Sequence, residues 1–255
     1  MTSASGGQAL SLTKGKGEPA TGLAPCQYAY LGIVEYTEAL ALQRDLAHRR
    51  ALGEIPDMLL ILEHPPVYTT GRRGPGANLR FPESALGAPL IETDRGGDIT
   101  FHGLGQLVAY PIIDLRQAGL SVVSYVRSLE ETIVRTLREY GIDGGTECGL
   151  TGVWVGADKI AAIGVRVGKP AGAAGGWVTT HGLALNASVD LDWFTRIVPC
   201  GIADRGVTSI VSLTGSAPDL SDVASKLTAS FGQTFLRRMI PVVMPSIASS
   251  GALPG

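Results

Sequence analysis

The apolar stretches of this chain are short, and they are interspersed with amphipathic stretches in no regular order. Residues 58–62 and 107–113 have the length and composition of strands, and Pro111 near the end of the second favours a position at a sheet edge. A doubly wound parallel sheet requires strands and helices that alternate regularly, which these stretches do not. We therefore expect an α+β fold, in which helices flank a mixed β-sheet.

Three stretches have the apolar spacing of helices. Residues 36–50 follow this spacing with Gln43 as the exception, and residues 121–140 follow it with Ser121 as a suitable N-cap. Residues 221–239 predict a final helix on the same grounds. Because each stretch has one apolar face, each helix is expected to pack against the sheet.

A hairpin followed by a flexible loop is predicted in the second half of the chain. Residues 153–155 and 160–167 read as strands around a turn at 156–158, so that Lys159 stands at the start of the second strand. Residues 168–176 (GKPAGAAGG) have the composition of a flexible connection. Lys159 is therefore predicted to lie on a fixed frame.

The length and composition indicate one compact domain. The chain has 255 residues, of which 45% are hydrophobic, and this is enough to bury a substantial core. Residues 1–25 and 241–255 are rich in Gly, Ser, Pro and Ala, which is typical of tails that stay disordered. We expect a disordered N-terminal tail (1–25), a catalytic domain (26–240) and a flexible C-terminal tail (241–255).

Charge and cysteine usage restrict the partners and the compartment. Lys and Arg number 21 and Asp and Glu number 23, so the basic surface of a nucleic-acid-binding protein is not expected. The apolar runs are too short for a membrane span, and the N-terminus has no apolar block of a signal peptide. Cys26, Cys148 and Cys200 are widely scattered, which favours reduced thiols and a cytoplasmic location.

Several well-known cofactor and catalytic motifs are incomplete in this sequence. The segment GVRVGKP at 164–170 has glycines too close together for a phosphate loop, and Pro170 replaces the Ser or Thr that holds magnesium. The glycine clusters at 71–76 and 103–105 lack the third glycine of a dinucleotide fingerprint. HExxH, CxxC and GxSxG do not occur. No metal and no cofactor are therefore expected.

Three features remain as candidate sites, and each also has an ordinary structural explanation. The glycines in segment 95–103 allow the backbone to approach a ligand, but they also suit a simple turn. Cys200 lies between Pro199 and Gly201, where a sharp turn could expose its sulfur, yet most lone cysteines are small core residues. Lys159 alone reads as a solvated hairpin lysine. The chemistry of these residues by itself leaves the function open.

Four segments occur in one order along the chain: RGGDITFHGLGQ (95–106), KIAAIGVRV (159–167), THGLALN (180–186) and IVPCGI (197–202). In this order and spacing the chain resembles the lipoyl(octanoyl) transferases of lipoate biosynthesis, from about residue 30 to about residue 239. The resemblance implies the catalytic fold shared by biotin and lipoate protein ligases and transferases. Two departures from the family pattern are Leu104, where the family usually has Pro, and the Gly/Ala-rich expansion at 168–176.

The resemblance implies an acyltransferase that works through a cysteine thioester. Such enzymes take an octanoyl (or lipoyl) group from acyl carrier protein and attach it to a specific lysine of a lipoyl domain, in 2-oxo acid dehydrogenase complexes or in the glycine cleavage H protein. Cys200 matches the nucleophile and Lys159 the family's lysine. Since a free thiol has a pKa of about 8.5, a neighbouring lysine that takes its proton should favour the reactive thiolate. A buried Lys159 with a lowered pKa could also accept the proton of the attacking amine.

The same comparison implies which residues bind the acyl group. They are Arg95, Gly96, Gly97, Asp98, Ile99, Thr100, Phe101, His102, Ala162, Ile163, Gly164, Gly182, Leu183 and Ala184. The small residues among them are expected to leave room for an extended chain, and N–H groups at the glycines could stabilise an oxyanion. Because acyl carrier proteins are acidic, Arg72, Arg73 and Arg49 or Arg50 are expected near the pocket mouth, although surface solvation explains these arginines equally well.

Two other readings stay open at this point. A lipoate or biotin protein ligase shares the fold but activates a free acid with ATP, and the lack of a phosphate loop and the position of Cys200 after Pro199 disfavour it. A non-catalytic acyl-binding module, in which Cys200 is merely packed, is the second alternative.

Overall fold

A seven-stranded mixed sheet forms the centre of the protein. The computed structural model describes residues 22–74, 78–170, 176–198 and 205–244. From edge to edge the strands of this sheet are β10 (Arg237–Pro241), β1 (Ala24–Ile33), β2 (Asp57–Glu63), β6 (Gln106–Ile112), β9 (Val178–Asn186), β8 (Asp158–Gly168) and β7 (Val153–Val155). The first three are parallel to one another, and every later pairing is antiparallel. The predicted mixed sheet is confirmed.

A second, three-stranded sheet was not predicted. It has the order β4 (Leu90–Glu92), β3 (Val67–Thr70) and β5 (Thr100–His102), in which β3 is parallel to β4 and antiparallel to β5. Strands of three or four residues are too short to show a period of two in the sequence. This small sheet lies over the large one and forms a wall of the cleft described below.

The helices cover both faces of the large sheet. They are α1 (Tyr36–Ala51), α2 (Val122–Arg138), α3 (Ile210–Thr214) and α4 (Leu220–Thr234). Along β6, Leu107 and Ala109 pack in the cluster that contains α2 and α4, whereas Val108 and Tyr110 pack in the cluster that contains α1. Successive side chains of a strand point to opposite faces, so β6 is buried on both sides. The predicted helices at 36–50 and 121–140 and the hairpin that carries Lys159 are confirmed.

The end of the predicted last helix is wrong. Helix α4 ends at Thr234, and Arg237–Pro241 is the edge strand β10 beside β1. Leu236 has φ 53°, a left-handed conformation that an α-helix cannot continue. The apolar spacing across 235–239 therefore belongs to a turn and a half-buried edge strand rather than to a further helical turn.

The predicted tail boundaries differ slightly from the elements. Residues 24 and 25, assigned to the N-terminal tail, begin β1, and Pro241, assigned to the C-terminal tail, ends β10. Residues 1–21 and 245–255 lie outside the described part of the chain.

The edge position predicted from Pro111 is also wrong, because β6 is a central strand. The ladder between β6 and β9 ends before Pro111, at the pair Ala109–Leu183. Beyond it, the Thr179 hydroxyl donates to Pro111 O (2.7 Å) and accepts from the Ile113 backbone N–H (2.9 Å). A side chain thus replaces the ladder where proline has no N–H to donate.

A buried carboxylate ties three elements together at one end of the sheet. Asp57 on β2 accepts from Arg50 Nε of α1 (2.8 Å) and from Arg237 Nε of β10 (2.9 Å). The neighbouring Cys26 is fully buried, and burial, reinforced by the charge of Asp57, raises the pKa of its thiol to about 12. Cys26 is therefore an inert core residue.

We expect the variant Asp57→Ala to lower the free energy of unfolding by about 3 kcal/mol, because it leaves two arginines nearly buried without their carboxylate. Urea denaturation measures the change. Asp45→Ala, which removes an exposed partner of Arg49, is the matched control and should cost less than about 1 kcal/mol. Equal losses in the two variants would contradict the assignment.

Candidate active site

A cleft lies between the small sheet and the face of the large sheet formed by β6, β9 and β8. Its empty volume, with the open mouth included, is about 460 Å³. Most of the predicted acyl-binding residues line it: Arg95, Gly97, Asp98, Thr100, His102, Ala162, Ile163, Gly164, Gly182, Leu183 and Ala184. The three motifs from which these residues come are therefore brought together in space.

Three predicted binding residues lie elsewhere. Ile99 and Phe101 are fully buried in a separate cluster, where the Phe101 ring stacks on Trp193 at 5.0 Å between centroids. Side chains alternate along β5, so Thr100 and His102 face the cleft and Phe101 faces away. Gly96 lines a neighbouring outer cavity instead.

The glycines of the cleft serve backbone packing rather than space for a ligand. A Cβ at Gly182 would lie 2.1 Å from Ala109 O, and one at Gly164 would lie 2.9 Å from Gly96 O. Only glycine allows these approaches. The backbone N–H of Gly96 donates to Val165 O, so it is not an oxyanion donor in this arrangement. The floor owes its width to Ala162 and Ala184 instead.

Arg95 anchors the wall of the cleft. Its Nη2 donates to Thr69 O (2.6 Å) and to Thr69 Oγ1 (2.9 Å), and its Nη1 donates to Gly96 O (3.1 Å). The side chain is buried, and its charge is spread over hydrogen bonds to backbone and hydroxyl oxygens. Arg95 therefore fixes the position of the double glycine that follows it.

A directed series of hydrogen bonds runs from Arg95 across both sheets. The Thr69 hydroxyl donates to His102 Nε2 (3.4 Å), and His102 Nδ1–H donates to Gln106 Oε1 (2.8 Å). Gln106 Nε2–H donates in turn to Asn186 Oδ1 (2.9 Å), and Asn186 Nδ2–H donates to Thr208 O (3.0 Å). Burial and the nearby His64 lower the pKa of His102 to about 3, so this ring is neutral at pH 7. The last member, Thr208, donates its backbone N–H to Lys159 O.

His64 is a second neutral histidine behind the cleft. Its Nδ1 contacts Val34 O at 2.7 Å, and because a carbonyl only accepts, this nitrogen carries the proton. Its Nε2 then accepts from the Tyr110 hydroxyl at 2.7 Å. Burial lowers the pKa of His64 to about 4. The rings of Tyr36 and His102 pack against it.

The sequence prediction missed four residues that line the cleft: Tyr36, Val108, Tyr110 and His181. His181 lies inside the THGLALN motif, directly before Gly182, so the motif contained the signal. Val108 and Tyr110 alternate on β6, and Tyr36 is the first residue of α1. Only the register of β6 against β9 shows which of their side chains reach the cleft.

Lys159 is buried where the cleft meets the outer cavity. It is 6% exposed, and its Nζ lies 4.7 Å from the centroid of the Trp154 ring, which Arg205 also contacts at 5.0 Å. Within the described ranges no carboxylate lies within 4 Å of this nitrogen. Lys159 lines the outer cavity of about 810 Å³ together with Arg73, and a small cavity with Thr100.

Cys200 lies outside the described residues, but both flanks of its segment are placed. Val198 N donates to Asn78 O (2.8 Å), and the Asn78 amide donates to Asp98 in the cleft wall (2.6 Å). On the other flank, Gly206 O accepts from Lys159 N (3.0 Å). The described residues on either side of 199–204 therefore lie at the cleft wall and beside Lys159.

Only some of the arginines expected at the pocket mouth lie near it. Arg73 lines the outer cavity and Arg72 is exposed. Arg50 is wrong as a mouth residue, because it is buried against Asp57, while Arg49 forms exposed ion pairs with acidic neighbours on and just after α1.

The unusual Leu104 lies in a well-held turn. Leu104 is 51% exposed, and the next residue, Gly105, donates its N–H to the buried Glu63 (2.8 Å) and accepts from Ala187 and Ser188. The loop is fixed by Gly105 rather than by residue 104. Most of the 168–176 expansion lies outside the described residues.

Fold and site together define an α+β protein with a cleft between two sheets and a buried lysine in the adjoining cavity. A sequence model of the lipoyl protein ligase A/B catalytic domain matches residues 35–232. The chain belongs to this family. A curated octanoyltransferase from Chloroflexus aurantiacus is 51% identical over 211 residues, which cover 81% of this chain and 92% of that protein. An octanoyltransferase from Rubrobacter xylanophilus is 48% identical over 204 residues, covering 78% and 89%.

Solved structures share the fold at low sequence identity. A chain from the structure of a bipartite lipoate protein ligase and its E2 lipoyl domain, from Thermoplasma acidophilum, matches with a TM-score of 0.64 and 17% identity, covering 86% of this chain and 88% of that one. Lipoate-protein ligase A bound with ATP matches with a TM-score of 0.62 and 16% identity, covering 87% and 90%. These likenesses confirm the predicted fold class.

We expect the free energy of unfolding to decrease more on acidification in the wild type than in the variant His64→Gln. His64 has a pKa of about 4 in the folded protein and about 6.5 when unfolded, so between these values the unfolded chain binds a proton that the folded chain does not. Stability is therefore lost as pH falls through this window. Urea denaturation at pH 7.5 and 4.5 measures this loss, and the wild type should lose about 2.5 kcal/mol more than the variant. Identical pH dependences would refute a neutral His64.

Proposed function

We propose that this cleft holds an octanoyl chain that is carried as a thioester on Cys200 and then passed to a lysine of a lipoyl domain. The family and the octanoyltransferase relatives support the coarser part of this proposal: the chain is an octanoyltransferase, an enzyme that transfers an acyl group in lipoate biosynthesis. The cysteine thioester, the acyl carrier protein donor and the residue roles are the finer proposal. None of the helices in the described ranges is long and apolar enough to cross a membrane.

One observation carries the proposal: the two placed flanks of the segment that contains Cys200 lie at the cleft wall and beside Lys159. Cys200 follows Val198 by two residues, so the two Cα atoms are at most about 7 Å apart. Val198 is tied through Asn78 to Asp98, which lines both the cleft and the outer cavity. The placed flank of the segment therefore lies near the junction of the two cavities, where Lys159 is buried, and the proposal is that the Cys200 thiol acts there.

The first half-reaction moves the acyl group from the carrier to the enzyme. Lys159 takes the thiol proton of Cys200, and the thiolate attacks the carbonyl carbon of the donor thioester. The carbon–sulfur bond to the carrier breaks, and Lys159 returns the proton to the departing carrier thiolate. The octanoyl group remains on Cys200, and its chain occupies the cleft.

The second half-reaction moves the acyl group to the acceptor. The lysine of the lipoyl domain arrives through the outer cavity, and its amine must lose a proton to form the amide. Lys159 relays that proton to the Cys200 thiolate as the carbon–sulfur bond breaks. A lysine shielded from water and held over the Trp154 ring keeps its nitrogen in place for both steps.

Burial of the chain positions the carbonyl. Each buried methylene contributes about 0.8 kcal/mol, so an eight-carbon tail provides several kcal/mol to hold the thioester at one place. The floor that receives it is made of small residues, Ala162 and Ala184 among them. A donor with an acidic surface can meet Arg73 at the outer cavity and the exposed Arg72.

An ATP-dependent ligase is the second candidate, because lipoate-protein ligase A bound with ATP has the same fold. The octanoyltransferase relatives at about half identity favour transfer from a thioester. An adduct that forms without ATP distinguishes the two, and a non-catalytic binding module would form no adduct at all.

We expect the purified protein, incubated with octanoyl-acyl carrier protein and no ATP, to gain one octanoyl group on Cys200. Intact-mass measurement and peptide mapping detect it, and hydroxylamine should remove it, as it removes thioesters. Cys200→Ala should gain nothing. Cys148→Ala removes the exposed thiol of residue 148 and should load as the wild type does. Loading that persists in Cys200→Ala would overturn the proposed nucleophile.

We expect Trp154→Leu to slow transfer to a lipoyl domain about tenfold, because the Trp154 ring stabilises the charge that Lys159 gains on taking a proton by roughly 0.5–2 kcal/mol, which Leu cannot provide. Trp154→Phe, which keeps a ring, should lose less. Single-turnover transfer from preloaded enzyme measures the rate, and the melting temperature checks the fold. Equal rates for Leu and Phe, in stable variants, would exclude this role.

A further inference from the structure

The end of the cleft remote from Lys159 is closed by polar side chains. His181 lines this end and is 1% exposed, and Gln43 of α1 lies behind it with 0% exposure. The His181 backbone has φ 57°, which turns its N–H out of the β-ladder and onto Gln43 Oε1 at 2.7 Å. The two side chains are therefore held as one unit between α1 and β9.

Each member of this pair has a buried nitrogen to which no hydrogen bond reaches from the described residues: His181 Nδ1 and Gln43 Nε2. His181 Nε2 contacts Asp94 Oδ1 at 2.8 Å, and since a carboxylate only accepts, Nε2 carries the proton. Burial lowers the pKa of His181 despite the opposing effect of Asp94, so Nδ1 keeps a lone pair that accepts. Gln43 Nε2, by contrast, is a donor.

One acceptor and one donor on this hydrogen-bonded pair of residues can be satisfied by a single water molecule. A water can donate to His181 Nδ1 and accept from Gln43 Nε2–H, which satisfies both groups. A polar atom left buried without a partner costs roughly 1–3 kcal/mol, so an occupant of this kind is expected. An alkyl chain satisfies neither group.

We propose, on the basis of the proposed function, that His181 and Gln43 form a polar stop that sets the acyl length: they hold a water at the cleft's closed end and thereby exclude chains longer than about eight carbons. Asp94, itself paired with Arg166 at 3.1 Å, is the positioning residue that fixes the tautomer of His181.

The strand register gives the length of the site. Ala162 pairs with Ala184, and Val165 pairs with His181, three residues further along β8. At about 3.3 Å per residue this span is about 10 Å. An extended eight-carbon chain is about 9 Å long, so a chain whose carbonyl lies beside Ala162 brings its methyl group to His181. Two further carbons would displace the water and bury two unpaired nitrogens against methylene groups.

The test is competition between octanoyl- and decanoyl-acyl carrier protein, present in equal amounts, for loading of the enzyme. The informative variant is His181→Asn, because Asn accepts a positive φ and is shorter than the imidazole. We expect its ratio of decanoyl to octanoyl adduct, measured by intact mass, to rise at least tenfold over the wild type. His48→Asn, the same exchange at a residue of α1 away from the cleft, should leave the ratio unchanged.

A second variant keeps the test decisive if His181→Asn does not fold. Gln43→Met has a similar volume and removes the donor to the water, so the ratio should again rise. An unchanged ratio in a folded variant overturns the polar stop.

A wild type that loads no acyl group at all contradicts the proposed function and not this inference. In that case calorimetry with free octanoate and decanoate tests the same length preference by binding alone. Decanoate should then gain affinity relative to octanoate in His181→Asn, and a constant ratio of the two dissociation constants overturns the stop.

Discussion

The hydrogen bonds that join the two sheets determine where a ligand can lie. Thr69 and His102 belong to the small sheet, Gln106 and Asn186 belong to the large one, and every bond in the series has a single direction. The direction requires a neutral His102, because a second ring proton would face the Thr69 hydroxyl, which already accepts from Arg95. These hydrogen bonds close one edge of the space between the sheets. The rest of that space is left for apolar contacts.

The same hydrogen bonds connect the cleft to Lys159. Thr208 receives the last hydrogen bond of the series and donates to the backbone of Lys159, and Gly206 receives the Lys159 N–H. Lys159 is thus held through its backbone on both sides, while Trp154 supports its side chain. Neutral histidines and a buried arginine leave the wall polar without freely titrating groups near pH 7. Such a fixed polar environment is what stabilises developing charge without reorganisation.

The sequence predicts the elements whose apolar spacing or turn residues are visible along the chain. It does not predict the features that depend on which strands pair in three dimensions. Helix α2 and the hairpin of Lys159 follow from spacing and turn chemistry. The strand β5 has three residues, so nothing local shows that Thr100 faces the cleft while Phe101 packs away from it. Pro111 misled because the Thr179 side chain, distant in sequence, donates to the Pro111 carbonyl beyond the end of the β6–β9 ladder. The motifs brought Arg95, Lys159 and Gly182 to one site by resemblance, but their glycines turned out to serve backbone contacts.

If the proposed function holds, contacts at both ends of the cleft select the length of the acyl chain. The proposal puts the thioester beside Lys159, which transfers the proton, and the terminal methyl group beside His181. A chain shorter by two carbons loses about 1.6 kcal/mol of burial, which corresponds to more than tenfold in binding. A chain longer by two carbons gains that burial but leaves His181 Nδ1 and Gln43 Nε2 unpaired, at a cost of roughly 1–3 kcal/mol each. The second effect exceeds the first, so selection acts against both neighbours of the eight-carbon chain.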